Sequence, residues 1–600
     1  MDGLPVRATA NSHVGFYSDL VCRLISCDPQ HITSPKDLRR DLETLRNRVS
    51  SEGLSFLTKT LPKLGKALDA GLMSSRFTRP LEFKGSSSRG SIPAFMQAYF
   101  NRVFDARGEL LDGADPLSVK HLRQVLLFAY KLELPYSLEQ EESVIETFIQ
   151  TENELEFSDD GENAHILDAS SYIIRDIFRD FDPRDILPRH GPGAVATGEK
   201  LEAKWNFSRK YKSIHQCYPY YDYFVVGRGS EVLDRLDWYK SLEQRDEGCA
   251  KVVLVPKDSR GPRLISAEPL EFQWIQQGLG RKLMSHFESH WLTKGQINFT
   301  DQTINRGLAL ESSISRRYAT IDLKDASDRV SCYLVDRVFS QTPDLLFRLR
   351  GCRTTATLLP DGRVVALKKF APMGSALCFP VEAAVFWVII VAAICRGLKL
   401  PLALVGKEVF VYGDDIIVPT EWAPLSMQAL ERFSLRVNHS KCCIGGLFRE
   451  SCGIDAFKGV VVTPQRIRTQ WTDHPCDGSV YSSYISLANE LCKAGYTRCS
   501  DLVWDKLRDT YGFVPYGTQR SSFPCRVVDL CRSAESLNKD LFRHRYNRNF
   551  QCLEFLLPIV KSRSEISQLD GWTRLLRDVC QGLGDDPSRV LVPRHTKIRR

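Results

Sequence analysis

Three aspartates stand where carboxylates can do chemistry. In YATIDL, residues 318–323, side chains alternate faces along an extended chain, so Ala319, Ile321 and Leu323 point one way and Tyr318, Thr320 and Asp322 the other. Asp322 therefore leaves the apolar face. In VFVYGDDIIVP, residues 409–419, two apolar runs flank Gly413 and Asp414, a two-residue hairpin signal that sets Asp414 at the turn and Asp415 at the start of the return strand. If the strands are neighbours, three carboxylates meet. Uncompensated, they would repel and raise one another's pKa, whereas two divalent ions about 3.5–4 Å apart turn such a cluster into a phosphoryl-transfer centre. Magnesium suits an all-oxygen ligand set and keeps water and substrate phosphates in its shell. Gly-Asp-Asp alone is weak, expected on the order of 0.1 times in a chain of this length; the apolar flanks and the upstream aspartate strengthen it.

The elements that must position these groups belong to an ordinary globular composition. The 600 residues are 43% hydrophobic and 26% charged, with 81 basic against 73 acidic side chains. The net charge of +8 permits a nucleic-acid partner without requiring one. Its distribution is uneven: residues 133–162 hold eleven carboxylates and no Lys or Arg, leaving a basic remainder. Val144, Ile145, Phe148 and Ile149 in that segment predict a helix whose other face is solvated or faces a basic partner, the solvated face weighing more. Upstream, KDLRRDLETLRNRV predicts a helix and KGSSSRG, residues 84–90, an exposed loop. Beyond about residue 470 the pattern is mostly helical, as in YISLANELCKAG and LDGWTRLLRDVCQGL, and the basic end PRHTKIRR is expected to be mobile.

Several other classes receive little support. The opening residues lack the basic and apolar regions of a secretory signal, so a cytosolic location is expected. The apolar run 383–395 is thirteen residues long, short of the roughly 20 that span a membrane, and predicts a buried helix. The eighteen cysteines contain no CxxC pair, and reduced thiols are expected. His439, Cys442, Cys443 and Cys452 could offer four zinc ligands, but adjacent cysteines fit poorly with the usual ligand spacing. GAVATGEK, residues 193–200, has P-loop glycine spacing but puts Glu199 at the lysine position, so it predicts a plain loop. YPYYDYF, residues 218–224, could stack bases, though an aromatic core strand is favoured.

An ordered set of motifs resembles the RNA-directed RNA polymerases of positive-strand RNA viruses, and among them the replicase beta subunits of small RNA bacteriophages, the Qβ-like leviviruses. The set is KVVLVPKDSRGPRLISAEP (251–269), YATIDLKDASDRVS (318–331), PMGSALCFPVEAAVFW (372–387), VYGDDIIVP (411–419) and NHSKCC with FRESCG (438–453). The resemblance covers about 200 residues closely, and its specificity lies in the order of five motifs. It implies an α+β right-hand polymerase, with an N-terminal region and fingers over 1–315, a palm of antiparallel strands and helices over 316–470, and a helical thumb with the basic tail over 471–600. It further implies that Asp322, Asp414 and Asp415 are catalytic Mg²⁺ ligands for two ions, with Mn²⁺ as a substitute. Lys251, Lys257, Arg260 and Arg263, with Asp258 the one acid among them, resemble the basic motif that grips NTP and template RNA, against a solvated basic loop as the alternative. Asp328 is implied as reader of the ribose 2′-hydroxyl, and Gly374 and Ser375 as a small-residue turn close to template and nucleotide. Lys441 matches the lysine that protonates the leaving pyrophosphate, with a plain surface lysine weighing equally against it. Glu382 stands where many other viral polymerases carry asparagine, and Asp325 has no assigned role.

The resemblance also implies partners: the host elongation factors Tu and Ts and a small-subunit ribosomal protein, in the cytoplasm of an infected bacterium, with no membrane. Two alternatives compete with it on the residues. A reverse transcriptase usually carries a bulkier residue at the Gly413 position and an aromatic gate after its first aspartate, where this chain has Ala326 and Ser327. A non-catalytic RNA-binding protein of polymerase shape would have no need of all three carboxylates.

Overall fold

The computed structural model describes residues 13–28, 30–87, 90–155, 161–225, 233, 235–582 and 588–599. Parts of the loop 84–90 and of the acidic segment, residues 88–89 and 156–160, lie outside the described residues. The architecture is mixed α+β, with helices packed around small separate sheets. In the N-terminal third, helices α1 (Leu61–Ser74) and α2 (Pro116–Leu127) pack together; the Asp115 side chain caps α2 by accepting from the Leu117 and Ser118 amides. The acidic segment forms α3 (Leu138–Glu154), opened by a capping box in which Ser137 and Gln140 exchange hydrogen bonds.

The basic motif folds as a hairpin of β1 (Cys249–Asp258) and β2 (Gly261–Ala267), joined through β1 to β4 (Ala356–Leu358) and then β5 (Val364–Ala366). Ile145 and Phe148 of α3 share a small core with Val252, Leu359 and Leu367. The acidic helix thus buries its apolar stripe on the basic hairpin's sheet and leaves its outer carboxylates solvated.

The aspartates sit on a three-stranded sheet ordered β3-β7-β6, with β3 at Tyr318–Ile321, β6 at Phe410–Tyr412 and β7 at Asp415–Pro419. β6 and β7 form the predicted hairpin, Tyr412 opposite Asp415, and β7 runs antiparallel to β3 with Ile321 opposite Ile416. One expectation fails here. β3 is buried on both faces, because Thr303–Ser315, helix α4, covers Tyr318, Phe410 and Ile417 from the side predicted to be open. The other side meets the main core, which includes α5 (Cys378–Leu398). Residues 383–394 of α5 are all under 5% exposed, and the Trp387 indole donates to the Val409 carbonyl at 3.1 Å. Each large apolar side chain so enclosed contributes about 1.5–3 kcal/mol, which explains why so apolar a run folds inside the protein.

Two large cores run through the chain, and the second joins residues far apart in sequence. It unites residues 17–132 with 443–511, so the N-terminal helices pack on the part of the chain beyond the sheet. At its centre the buried Arg123 of α2 pairs with Asp455 at 2.6 Å and with Asp69 of α1, and donates to the Val462 carbonyl. Toward the C-terminus, helices Gly478–Lys493, Thr497–Tyr511 and Gly571–Gln581 agree with the pattern. The basic end differs: Arg589–Arg599 is a strand paired antiparallel with Ile559–Ile566, since extended backbone there finds an edge to bond to. Tyr218, Tyr220 and Phe224 of the aromatic stretch are core, as expected, but around a helical turn rather than on a strand, and Tyr221 is exposed.

Candidate active site

Asp322 is the first residue past β3, and Asp414 and Asp415 begin the return from the β6–β7 turn, so strand pairing alone brings the three to one end of the sheet. Gly413 has φ +61, the left-handed conformation a tight turn requires, and a Cβ there would lie 2.1 Å from the Phe379 ring. Glycine is therefore needed twice over, for backbone and for space. Phe379 also packs edge-on to Tyr412 at 5.5 Å, and the Tyr412 hydroxyl donates to the Phe299 carbonyl at 2.9 Å, which fixes the turn from below.

Residues 436–443 run beside the end of β3 and deliver the fourth group. Lys324 donates its amide to the Arg436 carbonyl, Asn438 to Asp322, and Thr320 and Cys443 exchange both backbone bonds at 3.1 and 2.9 Å. Asn438 Nδ2 then donates to Asp322 Oδ2 at 2.6 Å, and Lys441 Nζ lies 3.5 Å from Asp322 Oδ1. The turn after Cys443 is pinned by the buried Arg449, which donates to the carbonyls of Tyr318, Ile444, Gly446 and Phe448. Adjacent Cys442 and Cys443 face the two different cores, and His439 pairs with Glu431 at 3.0 Å, so the four candidate zinc ligands point apart. All eighteen cysteines are unpaired.

The electrostatics are those of an underneutralised anionic site. Burial and then the neighbouring Asp414 charge push the Asp415 carboxyl up to about 6. Asp414, at the exposed tip, is also raised, by desolvation and by Asp322, while Lys441 and Arg263 pull it down. Burial works to lower the Lys441 pKa, but the Asp322 and Glu450 carboxylates together outweigh it and lift the value above the ordinary one for lysine. Among the described residues no three His, Cys, Asp or Glu side chains converge closely enough to enclose an ion, because Asp322 is turned to Asn438 and Lys441. The donor chemistry nonetheless fits a hard divalent cation: three carboxylates, oxygen only, whose mutual repulsion an ion would relieve, with the remaining positions suited to water and phosphate.

The basic residues divide. Arg263 is exposed and near enough to act on Asp414, and Lys257 feels Arg263, Arg260 and Lys441. Arg260 is held by a two-pronged bond to Asp258 at 2.7 and 3.0 Å and lies over the Tyr130 ring, so much of its charge is already answered. Lys251 is exposed, but Val255 faces Arg263 across the hairpin, which puts Lys251 four residues farther down β1, about 13 Å along the strand. Lys66 on α1 joins the group: burial lowers its pKa first, then the charges of Arg260 and Lys441. Nothing in the sequence around Lys66 signals this, since only the packing of the N-terminal helices against residues 443–511 brings it here.

Gly374 is exposed at φ +127 with its Cα so close to β2 that a Cβ would stand 2.1 Å from the Ser266 carbonyl oxygen. The adjoining Ser375 is buried and donates to Gln276 at 3.0 Å; it holds the turn in place rather than facing the cleft. Glu382 lies beneath, buried, its pKa raised well above the carboxylate range by burial and then by Asp414. Asp328 is half-buried and bonded through Oδ1 to Lys369 at 3.1 Å.

Comparison with known proteins gives this arrangement its family. The profile described as RNA replicase, beta-chain, matches residues 163–476, just over half the chain, including β1 to β7 and the segment 436–443. The chain belongs to this family. It is 33% identical over 287 residues to the RNA-directed RNA polymerase subunit beta of Qbeta virus (strain MX1), covering 47% of this chain and 44% of that one. To the same subunit of Enterobacteria phage SP it is 38% identical over 218 residues, 36% of each chain. To the RNA-directed RNA polymerase beta chain of Escherichia phage MS2 it is 34% identical over 217 residues, 36% of this chain and 37% of the relative. The chain thus spans less than half the length of each of these relatives. Among solved structures, an in situ structure of the BmCPV RNA-dependent RNA polymerase at elongation state overlaps 87% of this chain and 50% of its own at 10% identity and a TM-score of 0.44, below the level of a shared fold.

Proposed function

We propose that this chain is an RNA-directed RNA polymerase, the catalytic subunit of a phage replicase that copies RNA from NTPs in a bacterial cytoplasm. The observation that carries this is the sheet end that sets Asp322 beside the Gly413–Asp415 turn, in a chain of the RNA replicase beta-chain family. In this reading the chain is a right hand, with fingers before residue 316, a palm over 316–470 and a thumb beyond. Asp322, Asp414 and Asp415 would hold two Mg²⁺ ions, or Mn²⁺ in their place. Bound there, the ions lower the pKa of the 3′-hydroxyl and offset charge on the pyrophosphate.

The chain's own groups supply the rest. The 3′-hydroxyl of the growing strand loses its proton to water as its oxygen attacks the α-phosphorus of the NTP, the bond to the bridging oxygen of the β-phosphate breaks, and Lys441 Nζ gives its proton to the departing pyrophosphate. Arg263 and Lys257 answer the triphosphate charge, with Arg260 beside them at the hairpin tip and Lys251 farther along the template path. Asp328 accepts from the ribose 2′-hydroxyl, and Gly374 lets the backbone approach template and nucleotide while Ser375 secures that turn. The subunit works in a multi-subunit replicase, with elongation factors Tu and Ts and a small-subunit ribosomal protein as its host partners. The test is incorporation of labelled NTPs on an RNA template by wild type and Asp414→Asn, each purified with its associated host proteins, with Mg²⁺ and with EDTA. Magnesium-dependent product that vanishes in the variant supports the reading; wild-type levels of product from Asp414→Asn would refute the site.

A further inference from the structure

The acidic helix and the ribose-reading residue meet at one buried lysine. Lys369 has no exposed surface, and its Nζ lies 3.1 Å from Asp328 Oδ1, 3.3 Å from Glu152 Oε1 and 3.5 Å from the centroid of the Phe148 ring. An ammonium group is buried only where partners replace its water, so these contacts fix its position. The backbone fixes it further. Residues 330–332 and 368–370 run side by side, with Cys332 donating to the Lys368 carbonyl and Phe370 to Val330, each at 2.8 Å. Glu152 Oε2 accepts from the Lys368 amide at 2.7 Å, so one carboxylate of α3 takes a backbone hydrogen bond from this segment and an ion pair from its lysine. Beside it Arg329, next in sequence to Asp328, pairs with Glu154 of the same helix. The last turn of α3 is thereby locked to the loop that carries Asp328.

Lys369 takes only Oδ1 of Asp328, and among the described residues Oδ2 accepts no hydrogen bond. The side chain keeps 24% of its surface exposed. One oxygen is anchored inside the protein and the other is left to accept from a ligand. We propose that Lys369, held by Glu152, is a positioning residue for ribose selection: it aims Asp328 Oδ2 at the 2′-hydroxyl of the incoming nucleotide. This rests on the polymerase reading above. An unanchored Asp328 would turn toward water, and a 2′-deoxynucleotide would then lose little by comparison, because discrimination depends on a polar group that is left unpaired when the hydroxyl is missing.

The experiment compares kcat/KM for an NTP and the matching 2′-deoxy-NTP on one RNA template, using the full chain with its associated host proteins. The ratio of the two cancels the fraction of folded enzyme, so a variant that folds less well still reports. The variants are Lys369→Met in a Glu152→Gln background, which avoids stranding two buried carboxylates at once, Glu152→Gln alone, and Asp328→Ala. The expected result is a fall of about tenfold or more in the preference for the NTP with Lys369→Met, carried mainly by a rise in KM for the NTP, and a smaller fall with Glu152→Gln. An unchanged ratio in the Lys369 variant, with a fall in Asp328→Ala, overturns the positioning role. An unchanged ratio in both overturns ribose reading by Asp328 and this inference with it. No incorporation by wild type would instead count against the polymerase reading itself.

Discussion

Replacing Lys441 by Met separates stability from chemistry. Nζ stands 3.5 Å from Asp322 Oδ1, with 55% of the lysine and 33% of the aspartate side chain exposed. At that distance the Coulomb term in water is about 1 kcal/mol, and exposed pairs retain at most about that much after entropy and screening. Unfolding should therefore shift by no more than about 1 kcal/mol. A group that donates a proton to the leaving pyrophosphate contributes far more to rate, about 10²- to 10⁴-fold, which is about 3–5 kcal/mol of barrier. The assay is rapid-quench incorporation of a single nucleotide, beside urea unfolding of the same preparations. The Asp322 carboxylate lifts the Lys441 pKa, so the wild-type rate should keep its proton donor throughout the neutral range and lose it only above the ordinary lysine value. Lys441→His should bring the alkaline fall in kcat down to the histidine range, near about 6.5. If Lys441→Met incorporates nucleotide within about tenfold of wild type, the general-acid role is refuted, and Lys441 serves only to balance Asp322.

Gly413→Ala should abolish synthesis and lower the melting temperature, since the left-handed turn adds about 1–2 kcal/mol of strain for a residue with a Cβ and that Cβ would stand 2.1 Å from the Phe379 ring; Phe379→Leu on top should recover part of the stability. Arg123→Met takes the main cation from the partly buried Asp69 and from Asp455, which keeps only Arg466 at 3.8 Å, and urea unfolding should show a loss of about 3 kcal/mol, smaller when Asp69→Asn is added. Because the Asp415 carboxyl is raised to about 6, the folded metal-free protein binds that proton more tightly than the unfolded chain; this group's stabilisation is complete below about pH 4 and is lost as pH rises through 6. Mg²⁺ should consequently raise the melting temperature more at about pH 7.5 than at about pH 5, and an equal shift at both would place the ion elsewhere.

The carboxylates proposed to react were legible as a cluster because their positions follow from local rules. Asp322 follows directly on the short strand of YATIDL, whose alternation did not hold, and Gly-Asp between apolar runs makes the turn that presents Asp414 and Asp415. The thirteen apolar residues 383–395 likewise declared a buried helix, since the run is shorter than the roughly 20 residues that span a bilayer. The features that stayed hidden depend on partners distant in sequence. The open face assigned to β3 is covered by α4, the strand-forming end at 589–599 needs the edge at 559–566, and the burial of Lys369 needs both Glu152 and Asp328.

Which carboxylates meet at the end of the sheet, and in what order they occur, was set in the linear chain, because strand period, turn chemistry and charge are properties of neighbours along it. Which cations face the carboxylates was settled by folding alone. Packing carried Lys66 in from the N-terminal helices, set Asn438 and Lys441 on Asp322, and put the acidic helix behind Asp328. Those pairings act through space, falling off over a few ångströms in a partly desolvated cleft, and no spacing in the chain encodes a distance across it.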